Sequence, residues 1–134
     1  MVKQKCIAIV LARGGSKRIP DKNLKMFFDK SLVNHTIDAL LSSKIFDQVI
    51  VSTDSKRIKA VAEKSGALVP FLRPENLSDD LASTDDALLH SVKEIERLFG
   101  AFDFGCCAYP NPFIENEKLL EALEKVASGQ AKTC

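Results

Sequence analysis

The chain has 134 residues, 46% of them hydrophobic and 28% charged, and carries a net charge of +1. That length suits about one ordinary domain, and that balance suits a packed globular core. Net charge gives no reason to expect wholesale binding to nucleic acid or to a membrane surface, and no apolar run reaches the roughly 18 residues of a membrane span, so any electrostatic function has to be local.

Met1 to Lys5 leads straight into a strand, without the apolar stretch and cleavage site of a secretory signal, so the expected location is cytoplasmic. The four cysteines, Cys6, Cys106, Cys107 and Cys134, match no common zinc spacing. Their expected role in a reducing compartment is that of small core or strand thiols.

Cys6 to Leu11 is a short β-branched apolar run and reads as a buried strand. Lys30 to Ser43 carries Val33, Ile37, Leu40 and Leu41 at helical spacing. Gln48 to Thr53 is a second strand, and Asp54 stands where a cap would open the next helix, which Gly66 stops. Ala67 to Leu72 reads as a third strand, ended by Pro74. Ser83 to Asp86 has capping-box spacing, with Asp for the usual Glu, before a helix with Leu88, Val92, Ile95 and Phe99. Phe102 to Tyr109 is a fourth strand, and Glu115 to Ala127 a last helix.

Strand and helix thus alternate four times. Apolar strands between amphipathic helices predict an α/β fold with a parallel sheet covered on both faces. In such sheets ligands bind beyond the carboxyl ends of the strands. Four segments fall there: Arg13–Asn23, Ser52–Asp54, Arg73–Thr84 and Tyr109–Phe113.

The first segment is the most pointed. Arg13, Lys17, Arg18 and Lys22 face only Asp21 in charge, and Gly14 and Gly15 let backbone N–H groups approach an anion closely. Arg grips two phosphate oxygens at once, whereas Lys acts as a point charge. Neither the Walker spacing nor G-x-G-x-x-G is present, so the alternatives are a phosphate cradle of another kind or a basic surface loop. Asn23 suits either the edge of a base or a polar turn. Asp54 suits a helix cap, a metal or a sugar hydroxyl. Asp79 and Asp80 read as solvated carboxylates, and His35 and His90 as ordinary helix residues.

Taken together, "ARGGSKRIPDKN", "VIVSTDSKRI", "VPFLRPENLSDDLAST" and "CCAYPNPFI" resemble the sugar-acid cytidylyltransferases, the CMP-acylneuraminate synthetase family, over Ile7 to Leu123. The "RGGSKRIP" loop is most similar to the branch that uses pseudaminate. The resemblance implies the N-terminal portion of a three-layer, Rossmann-like nucleotide-diphospho-sugar transferase fold, as one domain over 1–134 that is incomplete at its C-terminus. It implies transfer of CMP from CTP to a nine-carbon sugar acid, with release of pyrophosphate, for surface-glycan or flagellin glycosylation. A nucleotide-binding remnant without turnover is the other reading. By resemblance, Arg13 and Lys17 are catalytic and face the triphosphate. Ala12, Gly14, Gly15, Ser16, Lys22, Asn23, Arg73 and Thr84 complete the nucleotide site, and Tyr109 lies near the sugar. Mg²⁺ is the implied cofactor, with no ligands identifiable, and the implied partners are CTP, the sugar acid and a second copy in a homodimer, not nucleic acid or membrane. "YPNPFI" is one residue shorter than the family pattern.

Overall fold

The computed structural model describes residues 5–14, 22–74, 84–110 and 116–128. Three parallel strands, β1 (Cys6–Leu11), β4 (Gln48–Ser52) and β5 (Phe104–Ala108), form a sheet in the order β4-β1-β5. The register sets Leu11 beside Ser52 and Val10 beside Ala108, so all three strands finish at one edge. A small antiparallel hairpin, β2 (Met26–Phe27) and β3 (Lys30–Ser31), precedes α1 (Leu32–Ser42). The remaining helices are α2 (Lys56–Lys64), α3 (Thr84–Phe99) and α4 (Asn116–Ala127).

β1 has no solvated face: all six of its residues are buried. Its even positions, Ala8 and Val10, join a core with Val33, Ile37 and Leu40 of α1 and Ile58 and Ala62 of α2, against which Leu119 of α4 packs. Its odd positions, Ile7, Ile9 and Leu11, join a second core with Ala87 and Ile95 of α3, backed by Phe71, Leu88 and Phe99. The face with two helices close by takes the small side chains, and the face with α3 takes the large ones. This is the three-layer α/β arrangement expected of near-continuous apolar parallel strands.

The helix ends follow local rules. Ser31 caps α1 by accepting from Asn34 N–H, and Ser55, not Asp54, caps α2 by accepting from Ile58 N–H at 3.2 Å. Gly66 ends α2 at φ +102°, a conformation a side chain would strain. The hairpin's second strand, Lys30–Ser31, takes the first two residues of the expected helix Lys30 to Ser43, and α1 begins at Leu32, next to Val33, where the apolar stripe starts. His35 of α1 ties the hairpin down through Nε2 to Phe27 O at 2.6 Å.

The expected third strand is a single bridge. Leu68 pairs with Ile50, its N–H donating to Val49 O and its carbonyl accepting from Val51 N–H, each at 2.9 Å. Pro70 then has no N–H to continue the ladder. On the other side β5 is the edge strand among the described residues. An open, largely apolar cleft of about 430 Å³ runs beside it, between Leu88 and the α4 residues Leu119, Leu123 and Val126. It lies along the flank of the sheet, away from the carboxyl ends.

Cys106 sits beside Ala8 and Cys107 beside Ile9, so the adjacent thiols lie on opposite faces of β5, Cys106 half-buried and Cys107 exposed. Burial, with Cys106 and Asp47 nearby, pushes the Cys6 thiol up from 9.0 to about 11. An unfolded chain therefore loses this proton at a lower pH than the folded one, and stability falls as pH rises from about 9 to about 11, with a slope of at most about 1.4 kcal/mol per pH unit. Urea midpoints at pH 8 and pH 10.5 should show this loss, and Cys6→Ala should flatten it in part.

Candidate functional site

Three of the four segments expected at the strand ends are held to one another by described contacts, and the fourth follows β5 at the same edge. Ala12, fully buried, continues the ladder past β1 by donating its N–H to Ser52 O at 3.0 Å. Gly14 N–H donates to Asp54 Oδ1 at 2.8 Å. The Nδ2 amide of Asn23 donates to Arg13 O at 2.7 Å from a 3-10 turn, Lys22–Leu24, that packs beside α1. The start of the basic loop is thus fixed from both flanks before Arg13 and Gly14 reach the sheet's edge.

Arg73 comes in from the third segment. It is only 8% exposed, and its guanidinium donates from Nε to Ser52 Oγ at 3.1 Å and from Nη2 to Ser52 O at 2.9 Å. Its own N–H donates to Thr53 O at 2.8 Å. Burial lowers this guanidinium from its ordinary value, nearby Asp54 raises it, and Arg13 lowers it further. An arginine starts so high that it stays charged at neutral pH, so the fold keeps a buried cation here. Among the described residues, the mouth of the sheet therefore carries Arg13 and Arg73 around one carboxylate, Asp54, an arrangement that favours an anionic ligand.

Lys22 is the first residue of the 3-10 turn and Thr84 the first of α3. Tyr109 follows β5 at the same edge and is 53% exposed. Gly15, Ser16 and Lys17 lie outside the described residues, as do Arg18, Asp79, Asp80, Ser83 and 111–115. Among the described residues, desolvation raises the Cys106 and Cys107 thiols as well as Cys6.

The sequence pattern of the cytidylyltransferase family matches residues 7–133. The chain belongs to the cytidylyltransferase family. It is similar to a pseudaminic acid cytidylyltransferase of Campylobacter jejuni, at 40% identity over 96% of this chain and 56% of that protein. It is also similar to a CMP-N,N'-diacetyllegionaminic acid synthase of Legionella pneumophila, at 37% identity over 88% of this chain and 51% of that protein. The chain thus spans about half the length of these curated relatives. Among solved structures, a CMP:2-keto-3-deoxy-manno-octonic acid synthetase complexed with CTP superposes with a TM-score of 0.80 over 96% of this chain and 49% of that one; at 22% identity this shows the shared fold.

At this site Asp54 departs from the expected helix cap, and Asn23 takes the polar-turn alternative. Asp54 does not cap α2; one of its carboxylate oxygens is turned back to the basic loop. The amide of Asn23 is directed to Arg13 O, so the described contact of this buried residue holds the loop. Ser52 was marked only as part of a polar strand end; its side chain and carbonyl together anchor Arg73. The single available signal was a small hydroxyl residue closing an otherwise apolar strand.

Gly14 is required by contact, not by its dihedral angles. A Cβ there would meet Ser55 Cβ at 2.7 Å and Asp54 Oδ1 at 3.2 Å. Gly14→Ala should therefore destabilise the protein by about 1–3 kcal/mol in urea denaturation. Adding Ser55→Gly, which removes the opposing carbon while costing the cap only a few tenths of a kcal/mol, should recover part of that loss.

Proposed function

We propose that this chain binds CTP at the carboxyl edge of its sheet and transfers CMP to a nine-carbon sugar acid, pseudaminate or a related nonulosonate, releasing pyrophosphate. The observation that carries this reading is the convergence of Arg13 and Arg73 at one end of a parallel sheet, beside a glycine turn held in place by Asp54. The 40% identity to a protein named for pseudaminic acid supports the choice of sugar.

In this reaction the anomeric hydroxyl of the sugar attacks the α-phosphorus of CTP. A new O–P bond forms, the bond to the β-phosphate oxygen breaks, and the hydroxyl loses its proton. Such transfer needs charge neutralisation and alignment more than a protein nucleophile. Arg13 and Lys17 take that role in the proposal, with Ala12, Gly14, Gly15, Ser16 and Lys22 forming the cradle. Asn23 and Arg73 support it from below, Thr84 lies toward the base and Tyr109 toward the sugar. Mg²⁺ belongs to the proposal as charge neutralisation on the triphosphate. The described residues contain no group of three or more metal-ligating side chains, and Asp54, the carboxylate at the site, has one oxygen committed to Gly14. These described residues do not by themselves build a magnesium site.

Calorimetry with CTP, UTP and ATP tests the nucleotide, and pyrophosphate release with CTP, Mg²⁺ and pseudaminate, N-acetylneuraminate or legionaminate tests the transfer. CTP should bind most tightly, and one sugar acid should drive release. Equal binding of all three nucleotides would remove the cytidine assignment, and binding without release would leave a nucleotide-binding protein. Arg13→Ala should weaken CTP binding about 10- to 100-fold, the value of one charge-assisted phosphate contact. Unchanged affinity would exclude Arg13 from the phosphate site.

A further inference from the structure

Asp54 stands out as a carboxylate placed inside a site that is otherwise arranged for anions. It is not the cap of the helix that follows it, because Ser55 accepts from Ile58 N–H in that role. Its Oδ1 instead reaches across 40 residues of sequence to the N–H of Gly14. The approach is close by construction, since nothing larger than glycine fits against the Asp54–Ser55 turn. That turn is itself braced. Ser55 N–H donates to Thr53 Oγ1 at 3.1 Å, and Arg73 holds Ser52 and Thr53 from the opposite side.

We propose that Asp54 is a positioning residue for nucleotide binding, which orients the glycine turn by accepting the Gly14 N–H and acts neither as a metal ligand nor as a substrate contact. This rests on the CTP reading above. A free glycine peptide samples many orientations, and ordering it on binding costs affinity. The Asp54 contact removes that freedom from the Gly14 peptide beforehand, so Gly14 meets the triphosphate already oriented. A carboxylate that worked by charge alone would lower the site's affinity for an anion. The working feature is therefore the acceptor oxygen at 2.8 Å and not the negative charge.

The prediction separates these two properties. Asp54→Asn keeps a carbonyl oxygen and loses the charge; Asp54→Ala loses both. In the ligand-free protein, hydrogen exchange at the Gly14 amide should stay slow in Asp54→Asn and become fast in Asp54→Ala. In calorimetry, CTP affinity should stay within about twofold for Asn and fall about tenfold for Ala, the upper value of one ordinary hydrogen bond. Asp54→Ser, too short to reach Gly14, replaces the alanine variant should that protein fail to fold. Equal losses in the Asn and Ala variants would show that the charge matters and would overturn the proposal. So would wild-type affinity in the Ala variant. If the unaltered protein binds no CTP, the nucleotide reading itself falls, an outcome distinct from binding that ignores Asp54.

Discussion

The structure depends on the burial of β1 on both faces. A strand with helices above and below has no place for a polar side chain between Cys6 and Leu11, and its backbone groups are taken up by β4 and β5. Chemistry is thereby confined to where the strand leaves the two cores. The first charged residue after β1 is Arg13, and it emerges at the edge where β4 and β5 also end. The gathering of charged groups at this edge follows from this constraint, because polar groups excluded from the middle layer accumulate at its rim.

β4 does a second job there. Its last residue, Ser52, pairs with Leu11, and the short turn Ser52–Ser55 becomes the hub to which the other segments attach. Ala12 and Gly14 bind it from one side and Arg73 from the other. A buried arginine is expensive to desolvate unless its donors are satisfied. Ser52 supplies both a hydroxyl and a carbonyl to do so. The cation is then retained close to Asp54 and Arg13, where it shapes the field at the mouth of the site.

Much of this was legible in the residue order. The bounds of β1 and the existence of all four helices followed from apolar periodicity, which is a property of neighbouring residues. Ala67 to Leu72 has a strand's composition but forms a single bridge, because Pro70 lacks the N–H that the ladder needs. The two-residue hairpin was invisible for the opposite reason: its strands are too short to carry a pattern. In the site, Arg13, Gly14 and Arg73 were marked by type and place, and the structure brings their segments together. The partners chosen by Asn23 and Asp54 were not legible.

The sequence by itself determined an α/β chain with a buried first strand, a basic glycine turn directly after it and polar segments after each later strand, because hydrophobic periodicity and chain order settle which ends share an edge. Only the tertiary structure decided which polar group meets which. The meeting of Gly14 with Asp54 depends on the register of β1 against β4, that of Asn23 with Arg13 on the packing of the 3-10 turn beside α1, and that of Arg73 with Ser52 on the segment that follows Leu68 alongside β4. A one-residue change in the register of β1 against β4 would part Gly14 from Asp54 while leaving the order of apolar residues in each element unchanged.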